Sequence, residues 1–82
     1  MADIEIVHDA AQQRFTIELE HGEAVLEYQL LPNQTMNFYR TYVPGEYRNH
    51  GLAEKLVRAG LAWANHQGYT IRASCWYAQK FL

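Results

Sequence analysis

The 82-residue sequence predicts an α+β domain: an antiparallel meander of four strands, one main helix, a fifth strand parallel to the fourth, and a short C-terminal helix. Three observations carry this. Period-two alternation of apolar and polar residues recurs between residues 4 and 43, broken only by short turn sequences, so successive strands pair as hairpins. From Leu52 to about Gln67 the apolar period changes to 3.6, the mark of an amphipathic helix. After Gly68 the alternation returns, and a strand reached through a helical crossover lies parallel to the strand before it.

Taken in order, Ile4 and Ile6 alternate with Asp3 and Glu5 as a short first strand, and Ala10 to Gln13 turn the chain. Phe15, Ile17 and Leu19 alternate with Arg14, Thr16, Glu18 and Glu20 as a half-buried second strand. His21-Gly22 forms a tight turn. Ala24, Leu26, Tyr28 and Leu30 make the inward face of the third strand, with Glu27 and Gln29 outward, and Pro32-Asn33-Gln34 break it. Met36, Phe38 and Tyr42 alternate in a fourth strand that ends at Val43. On the helix, Leu52, Ala53, Leu56, Val57, Gly60, Leu61, Trp63 and Ala64 share one side, opposite Glu54, Lys55, Arg58, Asn65 and His66. Glu54 and Arg58 stand four apart, the spacing of a surface ion pair. Gly68 ends the helix, Tyr69, Ile71 and Ala73 alternate in the fifth strand, and residues 76–82 are read as a short terminal helix.

Composition bounds what such a chain does. Residues 1–82 are read as a single domain with a modest core, since a chain this small buries only about 60% of its unfolded surface. A net charge of -2 and the lack of a basic aromatic stripe argue against a nucleic-acid partner. No apolar run approaches the roughly 20 residues of a membrane span, and the acidic start Met1-Ala2-Asp3-Ile4-Glu5 lacks the pattern of a signal peptide. His8, His21, His50 and His66 do not have the spacing of a metal ligand set, so no metal is expected. The single cysteine, Cys75, excludes an internal disulfide and fits a reducing cytoplasm.

One stretch reads as a binding site: Val43-Pro44-Gly45-Glu46-Tyr47-Arg48-Asn49-His50-Gly51-Leu52-Ala53. It runs from a strand through a turn into a helix start. There the first backbone N–H groups lack partners and the helix dipole is positive, so a phosphate can be held. Gly51 leaves room for close approach, Ala53 is nearly as small, and Arg48 adds a fixed positive charge. The other reading is a plain loop-to-helix junction in which Gly51 serves packing. Ligands in open α/β sheets bind at the carboxyl ends of parallel strands. Those ends are Val43 and Ser74-Cys75, so the topology brings the loop and the thiol together.

With Val43-Pro44, Glu46-Tyr47-Arg48, Gly51-Leu52-Ala53 and Leu56-Val57 in place, the chain resembles the GNAT superfamily, whose acetyl-CoA loop reads Arg/Gln-x-x-Gly-x-Gly/Ala. More narrowly it is similar to small single-domain GNAT-like proteins, over roughly residues 4 to 81. The resemblance implies a GNAT-like fold and acetyl-CoA as co-substrate. It implies a pyrophosphate on the backbone of Arg48, Asn49, His50, Gly51, Leu52 and Ala53, and pantetheine between the fourth and fifth strands. Ala53 stands for the second glycine of the pattern, and Arg40 stands before Thr41 where many relatives carry histidine.

Cys75 is the candidate catalytic residue. It is an acyl carrier, the acid that protonates the departing CoA thiolate, or a small packing residue. The backbone N–H near Val43 is placed to meet a developing oxyanion. His50 is a neighbour of the phosphates. Glu46 is either a solvated turn carboxylate or a base toward the acceptor. Tyr28, Phe38 and Trp63 fit core faces, whereas Tyr39, Tyr42, Trp76 and Tyr77 fall near the cleft. Arg40, Arg72 and Lys80 are surface charges or contacts for an anionic group. Together these point to an acetyl-CoA-dependent N-acetyltransferase acting on a small-molecule or protein amine. The alternative is a non-catalytic acyl-CoA-binding module or sensor.

Overall fold

The computed structural model describes residues 4–82, with the backbone alone for Trp76. The strands are β1 (Ile6–Asp9), β2 (Arg14–Leu19), β3 (Gly22–Leu31), β4 (Thr35–Tyr42) and β5 (Thr70–Ala73). The helices are α1 (Leu52–Gln67) and the short α2 (Trp76–Gln79), and a single 3-10 turn covers Gly45–Tyr47. The five strands form one sheet in the order β1-β2-β3-β4-β5. The first three pairings are antiparallel and β4 pairs with β5 in parallel, as the alternation and the helical crossover predict.

β1 begins later than its alternation suggests. Its register is set from the hairpin end, where Asp9 opposes Arg14 and Ile6 opposes Ile17, so Ile4 precedes the strand. Asp3 lies outside the described residues.

α1 covers one face of the sheet. Leu52, Leu56, Val57, Gly60 and Ala64 are its buried residues, and they meet Phe15, Ile17, Ala24, Leu26, Tyr28, Met36 and Phe38. Gly60 permits the closeness: a Cβ there would lie 2.8 Å from Leu26 Cδ2 and 2.9 Å from Phe38 Cε1. Gly68 ends the helix with a left-handed φ of 80°, its N–H reaching the carbonyls of Ala64 and Asn65. On the outer side Arg58 Nε donates to Glu54 Oε2 at 2.7 Å, the i, i+4 pair read from the spacing. The Arg58 guanidinium also lies over the Phe81 ring and ties the C-terminal segment to α1.

Two inward assignments are corrected. Leu30 is 44% exposed. β2 stops opposite Glu27, so Leu30 has a strand neighbour only on the β4 side. Tyr42 is 42% exposed rather than aligned with Met36 and Phe38. The cause is a β-bulge. Glu27 opposes Arg40 while Tyr28 opposes Phe38, leaving Tyr39 as an extra residue in β4. One extra residue flips every later side chain to the other face. Thr41 and Val43 turn inward, and Tyr42 turns out.

His8, to which the sequence assigns no role, belongs to an aromatic cluster at the other end of the sheet. Its ring stacks on Phe15 at 4.1 Å between centroids and meets the edge of Trp63 at 4.4 Å. Its Nε2 shares a 2.7 Å hydrogen bond with the Tyr28 hydroxyl. Burial lowers the His8 pKa, against a smaller upward pull from Asp9, and raises that of Tyr28.

Candidate functional site

The bulge and the shortness of β5 create the cleft together. β4 and β5 pair only from Thr35↔Thr70 to Phe38↔Ala73. The Phe38 carbonyl then accepts from both Ser74 N–H and Cys75 N–H, at 3.1 and 3.2 Å, and the chain leaves the sheet for α2. β4 continues alone. Antiparallel neighbours point their polar backbone groups alternately to either side. Past Phe38↔Ala73 no strand pairs with β4 on its β5 side. Val43 N–H has no hydrogen-bond partner among the described residues.

The loop from Val43 to α1 presents a longer run of such groups. Pro44 and the 3-10 turn are held by Tyr47 N–H to Pro44 O and Arg48 N–H to Gly45 O. Asn49 and Gly51 then adopt left-handed φ values of 70° and 76°. Gly51 is the N-cap of α1 and supplies no capping side chain. None of the backbone N–H groups from Asn49 through Glu54 has a hydrogen-bond partner among the described residues. An ordinary helix start leaves about four donors unpaired and usually caps one or two of them. Here they stay bare beside the positive end of a 16-residue helix. A Cβ on Gly51 would have no atom within 4 Å, so the space above the cap is open. Arg48 closes the base of the loop: its Nε donates to the Val43 carbonyl at 3.1 Å. Beyond the positive charge that the sequence predicts there, Arg48 therefore braces the loop.

Cys75, half-buried, sits at the N-cap of α2. Its Sγ lies 3.4 Å from Thr41 Oγ1. Burial pushes the thiol up, but the Thr41 hydroxyl and the backbone amides of Ala78, Tyr77 and Thr41 together outweigh it, and the thiol ends below its ordinary value.

These groups line one cavity of about 430 Å³, formed by Thr41, Tyr42, Val43, Tyr47, Arg48, Asn49, Gly51, Leu52, Ala53, Cys75 and Tyr77. That volume is within the range of small-molecule sites, about 300–1,000 Å³. The cavity brings together Val43, Arg48, Asn49, Gly51, Leu52, Ala53 and Cys75 from the sequence reading, along with Tyr42 and Tyr77. His50 is exposed in the loop and does not line it, nor do Glu46, Tyr39, Arg40, Arg72 or Lys80. Arg40 instead donates to Glu27 Oε1 at 2.7 Å and lies over the Tyr42 ring. The Trp76 side chain lies outside the described residues. Tyr47 lines the cavity from within the stretch read as a binding site. Thr41 is the lining residue that sequence reading misses: the alternation of β4 hides it, because its inward turn depends on the bulge.

The sequence profile of the GCN5-related N-acetyl-transferase family matches residues 14–82. The chain belongs to this family. The acetyltransferase profile thus spans both halves of the cavity, the Val43–Ala53 loop and Cys75. The chain is similar to Protein NATD1 of Bos taurus, 33% identical over 81 residues, covering 96% of this chain and 72% of the relative. Protein NATD1 of Gallus gallus is 32% identical over 81 residues, covering 96% of this chain and 74% of the relative. Protein NATD1 of Homo sapiens is 32% identical over 81 residues, covering 96% and 72%. Among the described residues no helix is long and apolar enough to cross a membrane, and no three His, Cys, Asp or Glu side chains are grouped to hold a metal ion.

Proposed function

We propose that residues 1–82 act as one acetyl-CoA-dependent N-acetyltransferase domain that transfers an acetyl group to an amine. The observation that carries this reading is the run of unpaired backbone N–H groups from Asn49 through Glu54, within which Asn49, Gly51, Leu52 and Ala53 line the same cavity as Cys75. Backbone donors at a helix start, with open space over Gly51 and the Arg48 guanidinium beside them, fit a pyrophosphate. The gap where β5 leaves β4 fits the narrow pantetheine arm, which reaches from the loop toward the thiol.

Acetyl-CoA supplies an acetyl carbonyl activated as a thioester. Val43 N–H donates to the carbonyl oxygen as negative charge develops on it during attack by the amine nitrogen. As the carbon–sulfur bond breaks, Cys75 gives its proton to the departing CoA sulfur. The Cys75 thiolate then takes the surplus proton of the newly formed amide nitrogen, which returns the site to its starting state. Since Cys75 holds its proton less tightly than an ordinary thiol, transfer to the alkyl thiolate of CoA runs downhill.

The test has two readouts. CoA titrated into the protein and followed amide by amide should perturb residues 48–54 more than the β1–β2 hairpin. CoA release with a panel of amines should be measurable and lowered by Cys75→Ala. Amide shifts confined elsewhere would remove the loop from the reading. Binding without turnover on a broad amine panel would replace the transferase with an acyl-CoA-binding module.

A further inference from the structure

The Thr41–Cys75 contact joins residues 34 positions apart. Neither reaches the other without the tertiary structure. Thr41 faces inward only because Tyr39 is inserted into β4; without the bulge that face would be taken by residue 40. Cys75 stands opposite it only because the Phe38 carbonyl binds both Ser74 and Cys75 N–H and turns the chain off the sheet. The bulge and the strand end therefore set one oxygen 3.4 Å from one sulfur, at the wall of the 430 Å³ cavity.

We propose that Thr41 is a positioning residue of the transfer site, its hydroxyl donating to the Cys75 sulfur so that the thiol is held toward the cavity and its thiolate is stabilised. This rests on the assignment of Cys75 as the proton donor to CoA. With the thiol protonated, either atom of the pair can donate. Once the proton has left, the sulfur can only accept, so the hydroxyl must be the donor, and a hydrogen bond to an ion is the stronger kind. The contact thus strengthens as Cys75 acts, which favours proton release over retention. The β-branched side chain suits the task, because threonine is stiff at χ1 and holds its hydroxyl in few orientations. The lowered thiol agrees with this: the hydroxyl is the largest of the influences opposing burial.

The titratable or charged groups sharing the cavity are Tyr42 from β4, Tyr47 and Arg48 from the loop, and Tyr77 from α2.

The experiment measures iodoacetamide alkylation of the native protein against pH for wild type, Thr41→Val and Thr41→Ser. Valine keeps the shape and removes the hydroxyl; serine keeps the hydroxyl. The midpoint of the Thr41→Val profile should rise by about one pH unit, making alkylation near neutral pH about tenfold slower. Thr41→Ser should restore most of the shift. If the valine variant does not fold, Thr41→Ala is measured and read in the same way. A midpoint shared by wild type and the hydroxyl-free variant overturns the role of Thr41, as does a serine variant that behaves like valine. CoA titration of the same wild-type protein keeps the two levels apart. Failure of wild type to bind CoA overturns the transferase reading along with this one, whereas intact CoA binding with an unshifted thiol overturns the role of Thr41 alone.

Discussion

Gly51 separates stability from binding more cleanly than any other position in the site. Its φ of 76° is left-handed and no atom lies within 4 Å of where a Cβ would stand. Gly51→Ala therefore meets no steric neighbour, and its whole cost is backbone strain, about 1–2 kcal/mol. In a domain of this size each kcal/mol moves Tm by about 4–8 °C. Gly51→Glu carries the same strain. Its carboxylate lies at the positive end of α1, which returns about 0.3–1 kcal/mol. It should therefore melt at or above the alanine variant. CoA affinity should run in the other order. Alanine leaves the N–H groups of residues 49–54 open. Glutamate puts a negative charge against the pyrophosphate, and a like-charge pair at 4 Å costs between about 1 kcal/mol in water and about 4 kcal/mol near a protein surface. Two phosphate charges at about 1 kcal/mol each already correspond to a loss of about thirtyfold. Scanning calorimetry and isothermal titration with CoA at low salt read the two orders. A glutamate variant that binds CoA within twofold of the alanine variant would sink the placement of the phosphates on this loop.

Arg48→Ala should weaken CoA binding by about tenfold, the low end for a charge-assisted hydrogen bond because the side chain is exposed, and the deficit should shrink as salt is raised. A loss seen with CoA but not with dephospho-CoA would instead assign Arg48 to the ribose phosphate. Alkylation of native Cys75 should slow when acetyl-CoA is present, and Cys75→Ala should change stability by less than about 1 kcal/mol while lowering turnover; a thiol that resists iodoacetamide with or without acetyl-CoA would make it a packing residue. Gly60→Ala gains about 1 kcal/mol of helix propensity but drives a methyl group into Leu26 and Phe38 at a cost of about 1–3 kcal/mol, so Tm should fall; a rise would mean that the two side chains give way. The folded-state pKa of His8 lies below its ordinary value of 6.5, so its neutral form favours folding: that stability is fully present above pH 6.5 and is lost as pH falls from there through the folded value. His8→Gln should flatten the decline in Tm between pH 7 and pH 5, and an unchanged slope would assign the acid sensitivity to other groups.

Much of the molecule is legible in local pattern. The Leu52–Gln67 helix, its stop at Gly68 and the parallel fifth strand follow from a change of period and a glycine, because backbone propensity and the burial of one face act within a few residues. The phosphate loop is legible for a related reason. A helix start is electropositive by its own geometry, and Gly51, Ala53 and Arg48 mark it in the chain itself. The cleft is different. It exists because Tyr39 is extra in β4 and because β5 ends at Ala73 while β4 runs on to Tyr42. Alternation read along β4 alone puts Tyr42 inward and hides Thr41. Only the pairing with β3, where Glu27 meets Arg40 and Tyr28 meets Phe38, reveals the slip. His8 is hidden in the same way, its partners Phe15, Tyr28 and Trp63 being brought to it by the sheet and the packed helix. Periodicity is a property of neighbours along the chain, so the sequence by itself determined the elements and their order. Register is a property of two strands at once, and it alone decided which side chains of β4 meet the thiol.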